Sequence, residues 1–327
     1  MERDRSTQRE LRRHPGAVDQ PASPICLPAL PLLVVLVLLL ISGCAEVVKV
    51  GTALGQDAGY ISGDDKARLD RLAVGAEKAA RPMTEKEENY VGRAVAATLL
   101  SKYPLCADQA LSRYVNEIGQ AVALASERPL TYGGYHFGVL DTEEVNALAC
   151  PGGMIFITLG MLKQARDEDE LAAILAHEVA HVNHKDGLAA IQQSRWVKAA
   201  GMLGSEAARL SGADLAQLVS LFEGSVDDVV KTLVVNGYSR EQESAADLSA
   251  LSFLRRAGYD PGGMSSYLSR LAAEETSGPS DRGIFATHPG MSSRLQRAEE
   301  VISRKGWTPV KHEARDERFR QVVDSRS

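Results

Sequence analysis

Between Glu170 and His184 the chain reads ELAAILAHEVAHVNH, an apolar run that contains His177-Glu178-Val179-Ala180-His181. In an α-helix, residues four apart lie about 40° apart around the axis and about 6 Å apart along it. His177 and His181 can therefore ligate one ion. Leu171, Ile174, Leu175 and Val182 form one face, and Ala173, Ala176, Val179 and Ala180 cover most of the rest, which predicts a helix buried nearly all round. Two imidazoles and a carboxylate buried there without partners are costly, and metal ligation removes that cost. Zinc takes neutral imidazole nitrogens at about 2.0 to 2.1 Å, and a catalytic zinc keeps three protein ligands and one position for water. Glu178, one residue after His177, falls beside such an ion rather than on it, where a general base takes a proton from that water. The expectation is one Zn2+ per chain, with His177 and His181 as ligands and Glu178 as the base.

At 327 residues and 44% hydrophobic content, the chain can bury a full core. Its formal net charge of -6, with no basic block interleaved with aromatics, gives no reason to expect nucleic acid as a partner. Residues 1 to 29 are polar and rich in Arg and Pro, and Leu30 to Ile41 is apolar except at Pro31. That run is short of the roughly 20 residues a membrane-spanning helix needs, but fits a signal-peptide core. Ile41-Ser42-Gly43-Cys44 follows and resembles the bacterial lipobox, which implies a lipid on Cys44 and a periplasmic, membrane-anchored protein. No Asp follows Cys44, and the resemblance therefore points to the outer membrane. The expected organisation is a signal peptide at 1–43, a flexible Gly-rich tether at 44–63, a folded domain at 64–305 and a charged C-terminal tail at 306–327. Removal of Cys26 with the signal peptide leaves Cys106 and Cys150, either bridged or unpaired, in a compartment where disulfides persist.

Within the domain, helical patterns cover Lys66 to Ala80, Glu85 to Lys102 and Asp108 to Ser126, with Tyr114, Val115, Ile118 and Val122 as core positions. Tyr135 to Leu140 alternates as a strand, and Pro151-Gly152-Gly153 forms a turn between short β runs at Asn146 to Ala149 and Met154 to Thr158. Residues 188 to 236 are mostly amphipathic helix, from Ala189 through Trp196 and Met202, then Leu215 to Leu221 and Val229 to Val235. None is apolar for long enough to span a bilayer. The fold class is α+β and mainly helical, with a small sheet.

A third ligand must come from elsewhere. His184 lies about 10 Å along the axis from His177 and reaches the ion only if the helix breaks, for which Lys185-Asp186-Gly187 is the candidate. The better candidate stretch runs from Tyr238 to Asp247. Ser239 and Gln242 form a capping box, so a helix begins here and runs to Ala257, where Gly258 stops it. Glu243 and Asp247 share one face of that helix, with Leu248, Leu251 and Leu254 towards the core. Two acids one turn apart suit a ligand carboxylate and an acceptor behind a ligating histidine. Glu241 is the alternative in a shifted register.

Asn146-Ala147, the run Pro151 to Ile157, Glu170-Leu171-Ala172 and HEVAH together resemble the gluzincin zinc metallopeptidases of the HtpX, CAAX prenyl protease and BepA type. The resemblance implies a zincin-like metalloprotease domain in which Asn146 and Ala147 border the cleft and pair with substrate backbone, a mode that reads little sequence. Extended to Ser239-Arg240 and Ala246-Asp247, it implies Glu243 as third ligand, with Asp247 and Arg240 in support. It also covers Thr287-His288-Pro289 and Arg294. In the BepA group a matching His-Pro can occupy the open zinc position, which implies a regulatory latch at His288. A histidine before proline sits on a loop, with a new helix from about Ser292. Tyr238, Arg240 and His288 are the candidates for stabilising the oxyanion. The lack of membrane spans sets the chain with the secreted branch and against a prenyl-protein protease. The implied function is endoproteolysis of misfolded or misassembled envelope proteins. The alternative is a chaperone-like or binding lipoprotein with a structural zinc, which has no use for Glu178.

Overall fold

The computed structural model describes residues 45–59, 61–70, 83–189, 224, 226–277, 283–310 and 312–323. Cys26, Cys44, the apolar run before Cys44, and the expected helices at Trp196, Met202 and Leu215 to Leu221 lie outside the described residues. The chain divides into two units, Met1–Val74 and Gly75–Ser327.

In the first unit, the expected tether is instead helix α1 (Ala45–Asp57), followed by helical residues 63–70. Each glycine inside a helix costs about 1 kcal/mol relative to alanine, which is why Gly51 and Gly55 argued for a tether. The helix makes contacts with the residues that follow it. Thr52 Oγ1 donates to Asp70 Oδ1 at 2.6 Å, and the Ile61 side chain packs at Gly55. Because residues 63–70 belong to this unit, the site-bearing unit begins later than residue 64.

The second unit contains α2 (Glu85–Lys102), α3 (Gln109–Leu124), β1 (His136–Leu140), β2 (Ala147–Cys150), β3 (Met154–Thr158), α4 (Leu159–Gln164) and α5 (Glu168–His184). Then come α6 (Arg240–Ala257), α7 (Gly262–Ser277), the one-turn α8 (Ile284–Thr287), α9 (Met291–Lys305) and α10 (Glu313–Val322). Helix ends fall where side chains can cap them. Thr84 and Glu87 form a capping box on α2, Asp108 caps α3, and Ser239 with Gln242 forms the expected box on α6, which ends at Gly258 in the left-handed region.

The sheet has the order β1-β3-β2, with β1 parallel and β2 antiparallel to β3. Ala147 lies opposite Ile157 and Cys150 opposite Met154, leaving β2 at the edge. Side chains alternate across a strand, so the sheet separates two cores. Ala147, Ala149, Ile155 and Ile157 join the cluster built on α3, α5, α6 and α7, whereas Leu148, Cys150 and Phe156 join the cluster under α2. The turn at Pro151–Gly153 needs its glycine: Gly152 has φ 78°, and a Cβ there would stand 2.9 Å from Asn89 Cα.

Helix α5 lies in the middle, buried along its length from Glu168 to Val182 as its composition predicts. Among the described residues, no helix is long and apolar enough to cross a membrane.

The cysteines take the unpaired alternative, and the expectation for the C-terminus needs correction. Cys106 and Cys150 are both free; Cys150 is buried in the cluster under α2 and Cys106 packs against the other, so the two thiols face different cores. Burial also pushes the Cys150 thiol well above its ordinary pKa. The charged C-terminal stretch is not a tail but carries α10, whose Phe319 is 1% exposed and whose following Val323 is 5% exposed. Its charges serve as partners. Arg318 donates to Glu168 at 2.6 Å and Arg315 to Asp169 at 3.1 Å, meeting the acids at the start of α5. Phe319→Ala should therefore destabilise the unit by about 3 to 5 kcal/mol, the range for emptying a buried phenylalanine site. Urea unfolding measures this, and an unchanged midpoint would mean that α10 does not dock.

Candidate functional site

Helix α5 brings His177 and His181 to one face, α6 presents Glu243 towards them, and the residue after α8 supplies His288. All four are buried, and one ligand atom from each lies within 4.8 Å of the others. His177 Nε2 is 3.0 Å from His181 Nε2, 3.2 Å from His288 Nδ1 and 3.3 Å from Glu243 Oε2. Glu243 Oε1 is 3.0 Å from His288 Nδ1 and 3.4 Å from His181 Nε2. A tetrahedral zinc with bonds of about 2.05 Å sets its ligand atoms about 3.3 Å apart. The donors thus have the chemistry and the spacing that zinc requires. Glu243 is fully buried within the cluster, whereas Glu241 is exposed. His184 is at the exposed helix end, where its Nε2 meets Ser249 Oγ at 3.0 Å.

Each α5 histidine is oriented from behind by a carboxylate. His177 Nδ1 is 2.9 Å from Asp247 Oδ1, and His181 Nδ1 is 2.7 Å from Asp186 Oδ2, whose other oxygen accepts from Gln242 Nε2 at 3.0 Å. Such pairings direct the opposite ring nitrogen to the metal and raise its basicity. Burial disfavours charge on His181, but the hydrogen bonds to Asp186 and Glu243 outweigh it and bring its pKa to about 10. Ligation must displace that proton. Burial likewise opposes ionisation of Glu243, yet His288, Arg294 and His177 hold it well below the carboxylate range.

Arg294 is buried at the base of the cluster. Its Nε and Nη2 donate to the two oxygens of Asp247 at 2.7 and 2.8 Å, and its Nη1 lies 2.7 Å from Glu243 Oε2 and 3.3 Å from the His288 carbonyl oxygen. Arg240, expected in support, is instead exposed at the first turn of α6, and the guanidinium in the cluster comes from α9.

Glu178 Oε1 is 3.8 Å from His288 Nε2, and its Oε2 is buried with no hydrogen-bond partner among the described residues. The Tyr238 ring stacks on His181 at 4.0 Å, with its hydroxyl buried and likewise unpartnered. Asn146 Oδ1 accepts from Ala147 N at 2.9 Å and from Thr287 Oγ1 at 3.3 Å, and Ala147 lines the cavity that His177 and Glu178 border.

Asp186 is the site residue that sequence reasoning missed. Its signal was the Lys185-Asp186-Gly187 break. Lys185 takes a left-handed conformation with φ 60°, which ends α5 and turns the next residue back towards His181. Metal analysis of purified protein should find one zinc per chain, retained in Glu241→Ala and lost in Glu243→Ala. Asp186→Asn should weaken zinc binding by about 10- to 100-fold in a chelator competition; equal affinities would deny Asp186 any role behind His181.

The model of "Peptidase family M48" matches residues 109–302. The "Beta-barrel assembly-enhancing protease" of Escherichia coli (strain K12) is 26% identical over 237 residues, covering 70% of this chain and 46% of that protein. The "Mitochondrial metalloendopeptidase OMA1" of Schizosaccharomyces pombe is 30% identical over 181 residues, 54% of this chain and 49% of its own length. A "Protease HtpX homolog" of Salinibacter ruber is 27% identical over 191 residues, 51% of this chain and 67% of its own. The chain thus spans about half the length of the assembly-enhancing protease. The family match takes in more than half of the chain and all four residues that could hold a metal ion, and on that ground the chain belongs to peptidase family M48, a family of zinc metalloproteases.

Proposed function

We propose that the chain is a zinc-dependent endopeptidase of the bacterial periplasm, lipid-anchored through Cys44 at the outer membrane, that hydrolyses misfolded or misassembled envelope proteins. The observation that carries the catalytic part is the Glu178 carboxylate, buried beside four metal donors with one oxygen unpartnered. When bound, zinc polarises the scissile carbonyl and lowers the pKa of water. Glu178 takes the proton of the attacking water and delivers it to the leaving amine. Asn146 and Ala147, at the edge strand, receive substrate backbone. The buried Tyr238 hydroxyl is the donor reserved for the oxyanion, because Arg240 faces solvent. Envelope substrates are supported by the lipobox at Cys44 and by a relative named for enhancing β-barrel assembly.

Four protein donors also fit a closed structural site, and the binding-lipoprotein alternative rests on that. The fourth donor has a different origin from the other three. His177, His181 and Glu243 stand within long helices, whereas His288 follows the one-turn α8 and precedes Pro289. In this reading His288 is a latch that holds the water position at rest, and substrate entry moves it.

Glu178→Gln should keep its zinc and lose cleavage of an unfolded protein by at least about 100-fold, the contribution of a positioned acid-base group. His288→Ala, at saturating zinc, should cleave faster than wild type. Full cleavage by Glu178→Gln would remove the mechanism, and unchanged cleavage by His288→Ala would remove the latch.

A further inference from the structure

Helix α2 leaves one strip of its surface uncovered. Lys86, Tyr90 and Arg93 are all exposed, at the spacing that places them on one face. A helix turns about 100° per residue, so Asn89 lies at the border of that strip. A Cβ added to Gly133 would stand 2.2 Å from Asn89 Nδ2. The strip therefore continues onto the loop between α3 and β1. There Leu130 is 75% and Tyr132 57% exposed, and Tyr90 itself is 51% exposed.

The loop is fastened from its inner side. Thr131 Oγ1 donates to the Gly152 carbonyl at 2.9 Å, Arg128 N to Asn183 Oδ1 at 2.8 Å, and the Tyr135 hydroxyl to the Arg128 carbonyl at 3.0 Å. Leu130 and Tyr132 belong to neither core, so packing within the unit does not account for them. The charge beside them is positive. Lys86 Nζ stands 5.9 Å from the centre of the Tyr90 ring, and among the described residues no carboxylate pairs with Lys86 or Arg93. The neighbouring acids are engaged elsewhere: Glu85 lies 3.6 Å from Arg128, and Glu87 is tied to Thr84 in the capping box. This runs against the net charge of -6 on the whole chain.

We propose that this face, formed by Lys86, Tyr90 and Arg93 of α2 with Leu130 and Tyr132 of the adjoining loop, docks the second unit on an anionic phospholipid surface. A tyrosine, with an apolar ring and a polar tip, suits the boundary between acyl chains and headgroups. Leucine adds apolar area, and the two cations are drawn to anionic headgroups. The centre of a protein interface is depleted of lysine, whereas here Lys86 stands over one of the rings. A bilayer also requires no matching shape from a protruding loop tip. The lipid proposed at Cys44 would hold the chain at such a surface; the docking face goes further and fixes which side of the unit meets it.

The test uses the zinc-loaded chain of residues 44–327, the processed form that the lipobox implies, carrying Cys44→Ser. No lipid is then attached, so the result does not depend on the anchor. Flotation should carry this chain with vesicles of phosphatidylcholine containing about 30% phosphatidylglycerol, and at least about tenfold less of it with phosphatidylcholine alone. Leu130→Ser together with Tyr132→Ser should weaken partitioning into the anionic vesicles by about tenfold. Lys86→Gln together with Arg93→Gln should weaken it by at least about tenfold and remove most of the dependence on lipid charge. All four side chains are exposed, so zinc content and melting temperature should match those of the parent chain. Absence of flotation with anionic vesicles overturns the proposal, as does flotation that neither pair of substitutions weakens. Self-association in sedimentation velocity that the Leu130 and Tyr132 substitutions abolish, without flotation, would assign the face to a second copy of the chain and likewise overturn the bilayer.

Discussion

The site depends on a helix that cannot slide. The two imidazoles of α5 meet Glu243 and His288 only while α5 keeps its axial position, and the structure fixes it at both ends with buried charge. At the N-terminus, Glu168 is bound by Arg318 and the Tyr114 hydroxyl, Asp169 by Arg315, and Glu170 by both Arg270 nitrogens and Ser266. At the C-terminus, Glu88 of α2 meets Arg128 and Lys185, while Arg128 also donates to the Val182 carbonyl at 3.0 Å. Buried ion pairs contribute little net stability, because the desolvation cost offsets most of the attraction. Their use here is positional: breaking one leaves a charge unpaired in the core, so sliding by a turn is strongly disfavoured. The acids also stand at the helix end where the macrodipole favours negative charge.

From that fixed helix, orientation passes outward through shared partners. Asp247 is held by two Arg294 nitrogens and in turn faces His177, and the same guanidinium reaches Glu243 and the His288 carbonyl. One arginine on α9 thus holds Glu243, the carboxylate behind His177 and the backbone of His288. Arginine suits this better than lysine, because its planar fork bonds both carboxylate oxygens at once. Movement of α9 relative to α6 would change all three contacts together.

What the sequence made legible was local. The HExxH spacing, the Ser239–Gln242 capping box and the one-turn separation of Glu243 from Asp247 each depend on residues within one helix, and helical geometry fixes their relation. Alternation likewise gave the first strand, and the Pro151-Gly152-Gly153 turn the other two, to within a residue or two. Apart from α1, where two glycines hid a helix, the misses lie outside any one regular element. Asp186 becomes a partner of His181 only because Lys185 adopts a left-handed conformation that few non-glycine residues take. The stretch after Gly306 reads as a charged tail, because its apolar contribution rests chiefly on Phe319, Val322 and Val323 and its charges find partners more than a hundred residues away. Arg240 and Arg294 were both visible, but nothing local says which of them folds over Asp247. The cysteines share a compartment on paper and different cores in space.

The segment Ile284–His288 ties the donor cluster to the edge strand. The Ile284 backbone N–H donates to the Val145 carbonyl at 3.0 Å and Thr287 Oγ1 donates to Asn146 Oδ1 at 3.3 Å. Each such hydrogen bond contributes about 0.5 to 1.5 kcal/mol net, and burial of Ile284 about 1.5 to 3 kcal/mol. Movement of His288 away from Glu243 and His177 would break these contacts together, so the place of the fourth residue of the cluster is set by the start of the edge strand as well as by Arg294.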